Sequence, residues 1–164
     1  MVNSVSEMFS QEEMLDRAFQ RIAWNVKHMR EETGRSDTRL FIEPIIPDKF
    51  VIIGQSKNGG TYKEHIVPRS IICEKCHELF ENGKSIDDVA KFIKKYLKII
   101  LISTEERDTL DKGSELNLRQ RMPEGWSFES GSEFVRLHEA KIKFKLYSEK
   151  PNQRFNTDRL RRPR

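Results

Sequence analysis

The chain lacks a net charge in its body, a third cysteine and any long apolar run, and each absence removes a class of protein. Two cysteines in 164 residues, Cys73 and Cys76, are badly spaced to bond each other on a helix and have no other thiol partner. A disulfide-stapled secreted scaffold is excluded and a reducing compartment favoured. No stretch approaches the roughly 20 apolar residues that span a bilayer, and the N-terminus has neither the basic flank nor the continuous apolar core of a signal peptide. The expected location is cytoplasmic, with no membrane partner. The net charge of +4 is misleading as a whole-chain figure. Six basic and two acidic side chains between Glu149 and Arg164 account for all of it, and residues 1–148 carry 24 of each sign. An evenly charged body with a basic tail is a weaker nucleic-acid signal than a basic face, although tails of this kind bind phosphate backbones.

What remains is a chain with 34% charged and 36% hydrophobic residues, long enough for one domain that buries a core without metal or disulfide staples. No internal repeat or linker divides it. Ser10 with Glu13 is a capping box, and Met14, Ala18, Phe19, Ile22, Ala23, Val26 and Met29 recur at helical spacing. They predict one long amphipathic helix over 11–32, closed by Gly34. Trp24, beside that stripe, is read as core, with a partner-facing position as the alternative. Arg39–Ile46 and Lys49–Gly54 read as β-like runs. Asn58-Gly59 is a hairpin-turn signal, which makes Thr61–Val67 the second arm of a hairpin. Helices are predicted over 69–82 and 86–97, the latter opened by the Ser85/Asp88 box, and a short inner strand over 99–102. A short helix opened by Ser103 and Glu106 follows, then a last helix over 132–140 and an edge strand over 141–147. The fold class is α+β: a single domain over 1–148 with a small antiparallel sheet packed by several helices and a ββα unit over 49–82. Residues 149–164 read as a basic disordered tail.

Acid, imidazole and thiol groups crowd together in one place, Thr61–Glu81, TYKEHIVPRSIICEKCHELFE. Its five residues Glu64-His65-Ile66-Val67-Pro68 resemble the first motif of the HNH (ββα-metal) nucleases, Asp-His-Ile-x-Pro. That resemblance covers about a tenth of the chain. It implies a metal-dependent nuclease, or a degenerate relative that binds nucleic acid without cutting. His65 would be general base, polarising water for attack on a phosphodiester. Glu64 would hold a divalent Mg or Mn ion that stabilises the developing charge. The family's last ligand, a His or Asn twenty-odd residues on, has no match, since Asp88 stands at that distance. His77, Asp88 and Asn82 are the substitutes, with Asp88 already explained as a helix cap. Consecutive strand residues point to opposite faces, so Glu64 and His65 meet at one site only if the strand ends or bulges there.

Other features carry weaker alternatives. Cys73-x-x-Cys76-His77 supplies zinc-type donors, and His65 would complete a four-ligand set with His28 and His138 as distant substitutes. No second C-x-x-C exists, and buried thiols on an apolar helix stripe explain the same residues, so Zn is the less favoured metal. Gly59-Gly60 lacks the flanking pattern of a phosphate loop and reads as a turn. Arg119, Arg121 and Trp126 could stack on bases, or Trp126 could pack in a loop. Arg154, Arg159, Arg161, Arg162 and Arg164 are the candidate phosphate contacts. The layout from Tyr62 through KIILISTEE and MPEGW to RLHEA also resembles small proteins of bacterial viruses. That match has no known chemistry attached and bears on origin. The rival function, motivated by the small size, the missing final HNH residue, the neutral body and a long first helix suited to homo-oligomerisation, is a non-catalytic binding protein of such a virus that blocks a host defence factor or sequesters a nucleotide.

Overall fold

Apolar spacing and serine caps organise this chain, and the computed structural model describes residues 9–111 and 115–148. In chain order the elements are α1 (Gln11–Thr33), a 3-10 turn (Thr38–Phe41), α2 (Asp48–Val51), β1 (Ile52–Ser56), β2 (Tyr62–His65), α3 (Arg69–Glu81), α4 (Ile86–Tyr96), β3 (Ile99–Ile102), α5 (Thr104–Leu110), α6 (Val135–Glu139) and β4 (Phe144–Leu146). All three predicted capping boxes form. Ser10, Ser85 and Ser103 accept from the N–H three residues on, and Glu13, Asp88 and Glu106 return the bond. Each such box satisfies two helix-end donors that would otherwise need water.

The fold is α+β, as the sequence predicts, and the sheet is mixed. Its strand order is β2-β3-β1-β4. Strand β3 runs antiparallel to β2 and parallel to β1, and β4 closes the far edge antiparallel to β1. The predicted 49–67 hairpin therefore does not pair. Ile99-Ile100-Leu101-Ile102 is apolar on both faces, the composition of a central strand, while IIGQS and YKEH are half polar. The more apolar strand inserts between the two arms. The connection after β1 must cross the end of β3, and Gly60 is where it crosses. A side chain there would meet the Ile102 carbonyl at 2.2 Å and the Ser103 nitrogen at 2.4 Å.

Two apolar clusters flank this frame. One joins α1, α3 and α4 through residues such as Phe19, Ile22, Ile72, Cys76, Val89 and Ile93. The other gathers Ile66, Ile100, Ile102, Leu110, Leu118, Leu137 and Ile142. Ile66 belongs to the second and Val67 to the first, so the step after β2 plugs both cores with consecutive residues.

Several expectations are corrected. Arg39–Ile46 is a 3-10 turn and bend, started by the Asp37 side chain on the Arg39 N–H, because a local cap competes well with a strand that has no partner. Lys49–Gly54 splits into the turn of α2 and the start of β1. Trp24 is 50% exposed, with its ring 4.0 Å from that of His28. One residue past buried Ala23 rotates about 100° around the helix, off the core stripe. The last helix begins at Val135 rather than Ser132. The predicted tail, residues 149–164, lies outside the described residues. Among the described residues no helix is long and apolar enough to cross a membrane.

The crossing at Gly60 yields a test. Gly59 and Gly60 both have positive φ, but only Gly60 faces backbone atoms; an added Cβ at Gly59 meets nothing within 4 Å. Gly59→Ala should cost about 1 kcal/mol from backbone strain alone. Gly60→Ala should cost clearly more, read as a lower urea midpoint at unchanged m-value.

Candidate functional site

Strand β2 delivers Glu64 and His65 in register with β3, Glu64 opposite Ile100 and His65 opposite Ile99. The strand ends at His65, a short bend follows, and Pro68 caps α3. That ending lets two neighbours that would face opposite ways share one cleft of about 340 Å³, walled also by Thr38, Lys63, Arg69, Ser70 and Arg119. Lys63 is bonded to Asp48 at 2.8 Å. Arg69 has no carboxylate within 4 Å among the described residues. Arg119 reaches Asp111 only at 3.7 Å and keeps its side chain 60% exposed.

Behind the cleft stands Arg136, the one arginine in the described chain with no exposed surface. All five of its N–H donors are used. Nε donates to the Leu118 carbonyl at 2.7 Å, and Nη1 to the carbonyls of His65 and Ile66 at 2.8 and 3.3 Å. Nη2 donates to Glu64 Oε1 at 2.9 Å and to the Arg119 carbonyl at 3.0 Å. A buried guanidinium costs several kcal/mol in lost hydration, which only such complete satisfaction offsets. Both walls of the cleft, the end of β2 and the 118–119 segment, are thus tied to one side chain. The sequence assigned Arg136 no role, since a charged residue next to Leu137 on a helix reads as a solvated face.

This setting fixes the chemistry of the two motif residues. Burial pushes Glu64 above the ordinary carboxylate range, against the pull of Arg136. Burial, with Arg69 and Arg136 adding positive charge, lowers His65 from 6.5 to about 4. The His65 imidazole is neutral at physiological pH and has no hydrogen-bond partner among the described residues. It can meet a ligand as a neutral donor or acceptor. As a base it is weak, because efficient proton abstraction wants a pKa near the working pH.

The remaining candidates do not join them. His77 opens on a neighbouring cleft with Ser36, Cys73 and Glu81. Asp88 is spent on the Ser85 cap at the start of α4 and borders neither cleft. Asn82 caps the C-terminus of α3. His28 pairs with Glu31, and His138 lies against Phe144. Among the described residues no three His, Cys, Asp or Glu side chains are placed to hold one metal ion. One oxygen of Glu64 is held by the Arg136 guanidinium, and Glu64 is the only carboxylate among the described residues that lines this cleft, a sparse donor set for a Mg- or Mn-type ion. Trp126 packs in its loop against Phe128, its Nε1 donating to the Ser132 carbonyl at 2.9 Å. Arg154, Arg159, Arg161, Arg162 and Arg164 lie outside the described residues. No protein-family model matches this chain, and no curated protein or solved structure does so at a significant level.

Two stability predictions follow from this geometry. Arg136→Met leaves Glu64 and four carbonyls without their donor and should cost about 3–5 kcal/mol. Adding Glu64→Leu should restore only part of it, since the carbonyls stay unpaired; full recovery would mean that the ion pair alone mattered. His65 gives the pH dependence. Between about pH 6.5 and about 4 the unfolded chain binds a proton that the folded chain refuses. Stability from this group is therefore complete above that window and falls as pH falls through it, by at most about 3 kcal/mol. Urea unfolding at pH 7.0 and 4.5, at about these two values, should show that loss in wild type and a smaller one in His65→Asn.

Proposed function

We propose that this protein binds nucleic acid at the Glu64–His65 cleft, as a relative of the HNH nucleases that grips a phosphodiester without metal-dependent cutting. The observation that carries this reading is the charge balance of the cleft. Lys63, Arg69 and Arg119 border it, and its single lining carboxylate, Glu64, is neutralised by Arg136. A phosphate there would find two guanidinium groups, a neutral imidazole and the N-terminal end of α3, whose free N–H groups favour anions. Thr38 adds a hydroxyl at the same mouth, and Ser70 a second whose proton is directed to the Gln120 carbonyl at 3.5 Å in the free protein. The tail arginines would extend the contact along a strand.

The test is fluorescence anisotropy with labelled single-stranded DNA and RNA over a range of salt. Wild type should bind with a salt-dependent affinity. Arg69→Ala with Arg119→Ala should weaken binding and flatten the slope of log K against log salt by about 0.7 per lost contact. The same pair of substitutions in a chain ending at residue 148 separates the cleft from the tail. Unchanged affinity and slope in the double variant would overturn the reading. Competition by a mononucleotide as strong as by an oligonucleotide would replace a nucleic-acid strand with a small nucleotide.

A catalytic reading draws support from one observation, that Glu64 and His65 border the same cleft. Plasmid and oligonucleotide cleavage with Mg²⁺ or Mn²⁺ decides it. Cutting by wild type that disappears in His65→Ala would establish the nuclease; equal traces from both would leave binding as the function.

A further inference from the structure

Halfway along α3, on the cleft beside the one proposed for phosphate, three donor atoms of different kinds converge. Cys73 and His77 are four residues apart and so project from one face of the helix. Cys73 Sγ lies 3.6 Å from His77 Nε2. The Ser36 hydroxyl, from the loop after α1, is hydrogen-bonded to the same Nε2 and also acts on the Cys73 sulfur. A tetrahedral zinc with metal–sulfur and metal–nitrogen bonds of about 2.3 and 2.05 Å separates its sulfur and nitrogen by about 3.6 Å. The two side chains already stand at the span that such an ion requires, and the ion would take the place of the Ser36 hydroxyl on Nε2.

The surroundings favour a cation. Glu74, Glu78 and Glu81 border this cleft against a single guanidinium, Arg30, one of whose nitrogens is engaged by the Gly34 carbonyl; Glu78 is paired with Lys75 at 3.1 Å, which leaves Glu74 and Glu81. The cleft measures about 530 Å³, which leaves room for water or an outside ligand on the open coordination positions. Cys76, one turn away, provides an internal contrast. It shares the apolar cluster with Cys73, and burial raises both thiols, but Cys73 borders the cleft and Cys76 does not.

We infer that Cys73 Sγ and His77 Nε2 form a binding site for a single zinc-class divalent cation, which displaces the Ser36 hydroxyl from Nε2 and leaves its remaining coordination positions open to solvent. Binding forms the Cys73 sulfur–metal bond and releases the thiol proton to solvent, with no change in oxidation state. The site has two protein ligands, so its affinity falls below that of a four-ligand structural zinc site. It is independent of the phosphate cleft and of the nucleic-acid reading.

Cobalt(II) is the probe, titrated into the full-length reduced protein without a polyhistidine tag. The chain has only four histidines and two cysteines, so background binding is small. One equivalent should produce a near-ultraviolet thiolate-to-cobalt absorption and the strong visible bands of a tetrahedral ion, both displaced by zinc. Cys73→Ser and His77→Gln should each lose the thiolate band or the tetrahedral spectrum, while Cys76→Ala retains both. Circular dichroism confirms that each variant is folded, and His77→Asn serves if His77→Gln is not. No thiolate band in wild type, or a band that survives Cys73→Ser and vanishes in Cys76→Ala, would overturn the site.

Discussion

The structure depends on the burial of one positive charge. Arg136 has no contact with water, and every one of its donors ends on an oxygen that belongs to a different part of the chain. Such a group cannot drift, because any displacement strands a donor or an acceptor in a low-dielectric interior. Through it the short helix α6 fixes the end of β2 and the segment at 118–119. Those are the two walls between which His65, Arg69 and Arg119 gather. The cleft inherits its rigidity from a residue that never reaches its surface.

Helix α3 departs from the other long elements in a way that bears on the same cleft. Helices α1, α4 and α5 each place carboxylates in the first turn and a basic group in the last, which is the arrangement the helix dipole rewards. Helix α3 has neither; it opens on Arg69 and closes on Glu81. That reversal forgoes a few tenths of a kcal/mol per group in the free protein. It also concentrates positive charge where the dipole is positive and negative charge where it is negative. An anion at the first end and a cation further along would each recover what the sequence has given up.

Much of the fold was legible because its signals are local. Ser10 with Glu13, Ser85 with Asp88 and Ser103 with Glu106 each mark a helix start within four residues, and all three form. The central strand was readable from four consecutive apolar residues. The hairpin was misread for the complementary reason. Asn58-Gly59 does make a turn, with Gly59 N–H bonded to the Ser56 carbonyl, but a turn does not specify whether its arms pair with each other or with a third strand. That choice was made by Ile99–Ile102, more than thirty residues downstream, whose apolar faces gain more from the centre than from an edge.

The site illustrates the same division more sharply. Five residues sufficed to suggest that Glu64 and His65 belong to a chemical site, and the end of β2 does bring both to one cleft. What they can do there is decided by groups that no short motif contains. Glu64 finds its partner 72 positions away, in a buried guanidinium that balances its charge. His65 is kept neutral by burial and by Arg69 and Arg136 together, and the same influences make its imidazole a weak base. A local resemblance identifies residues, whereas their protonation and their freedom to coordinate come from tertiary neighbours. In this chain those neighbours are arginines, which set the charge of Glu64 and the basicity of His65 from outside the motif.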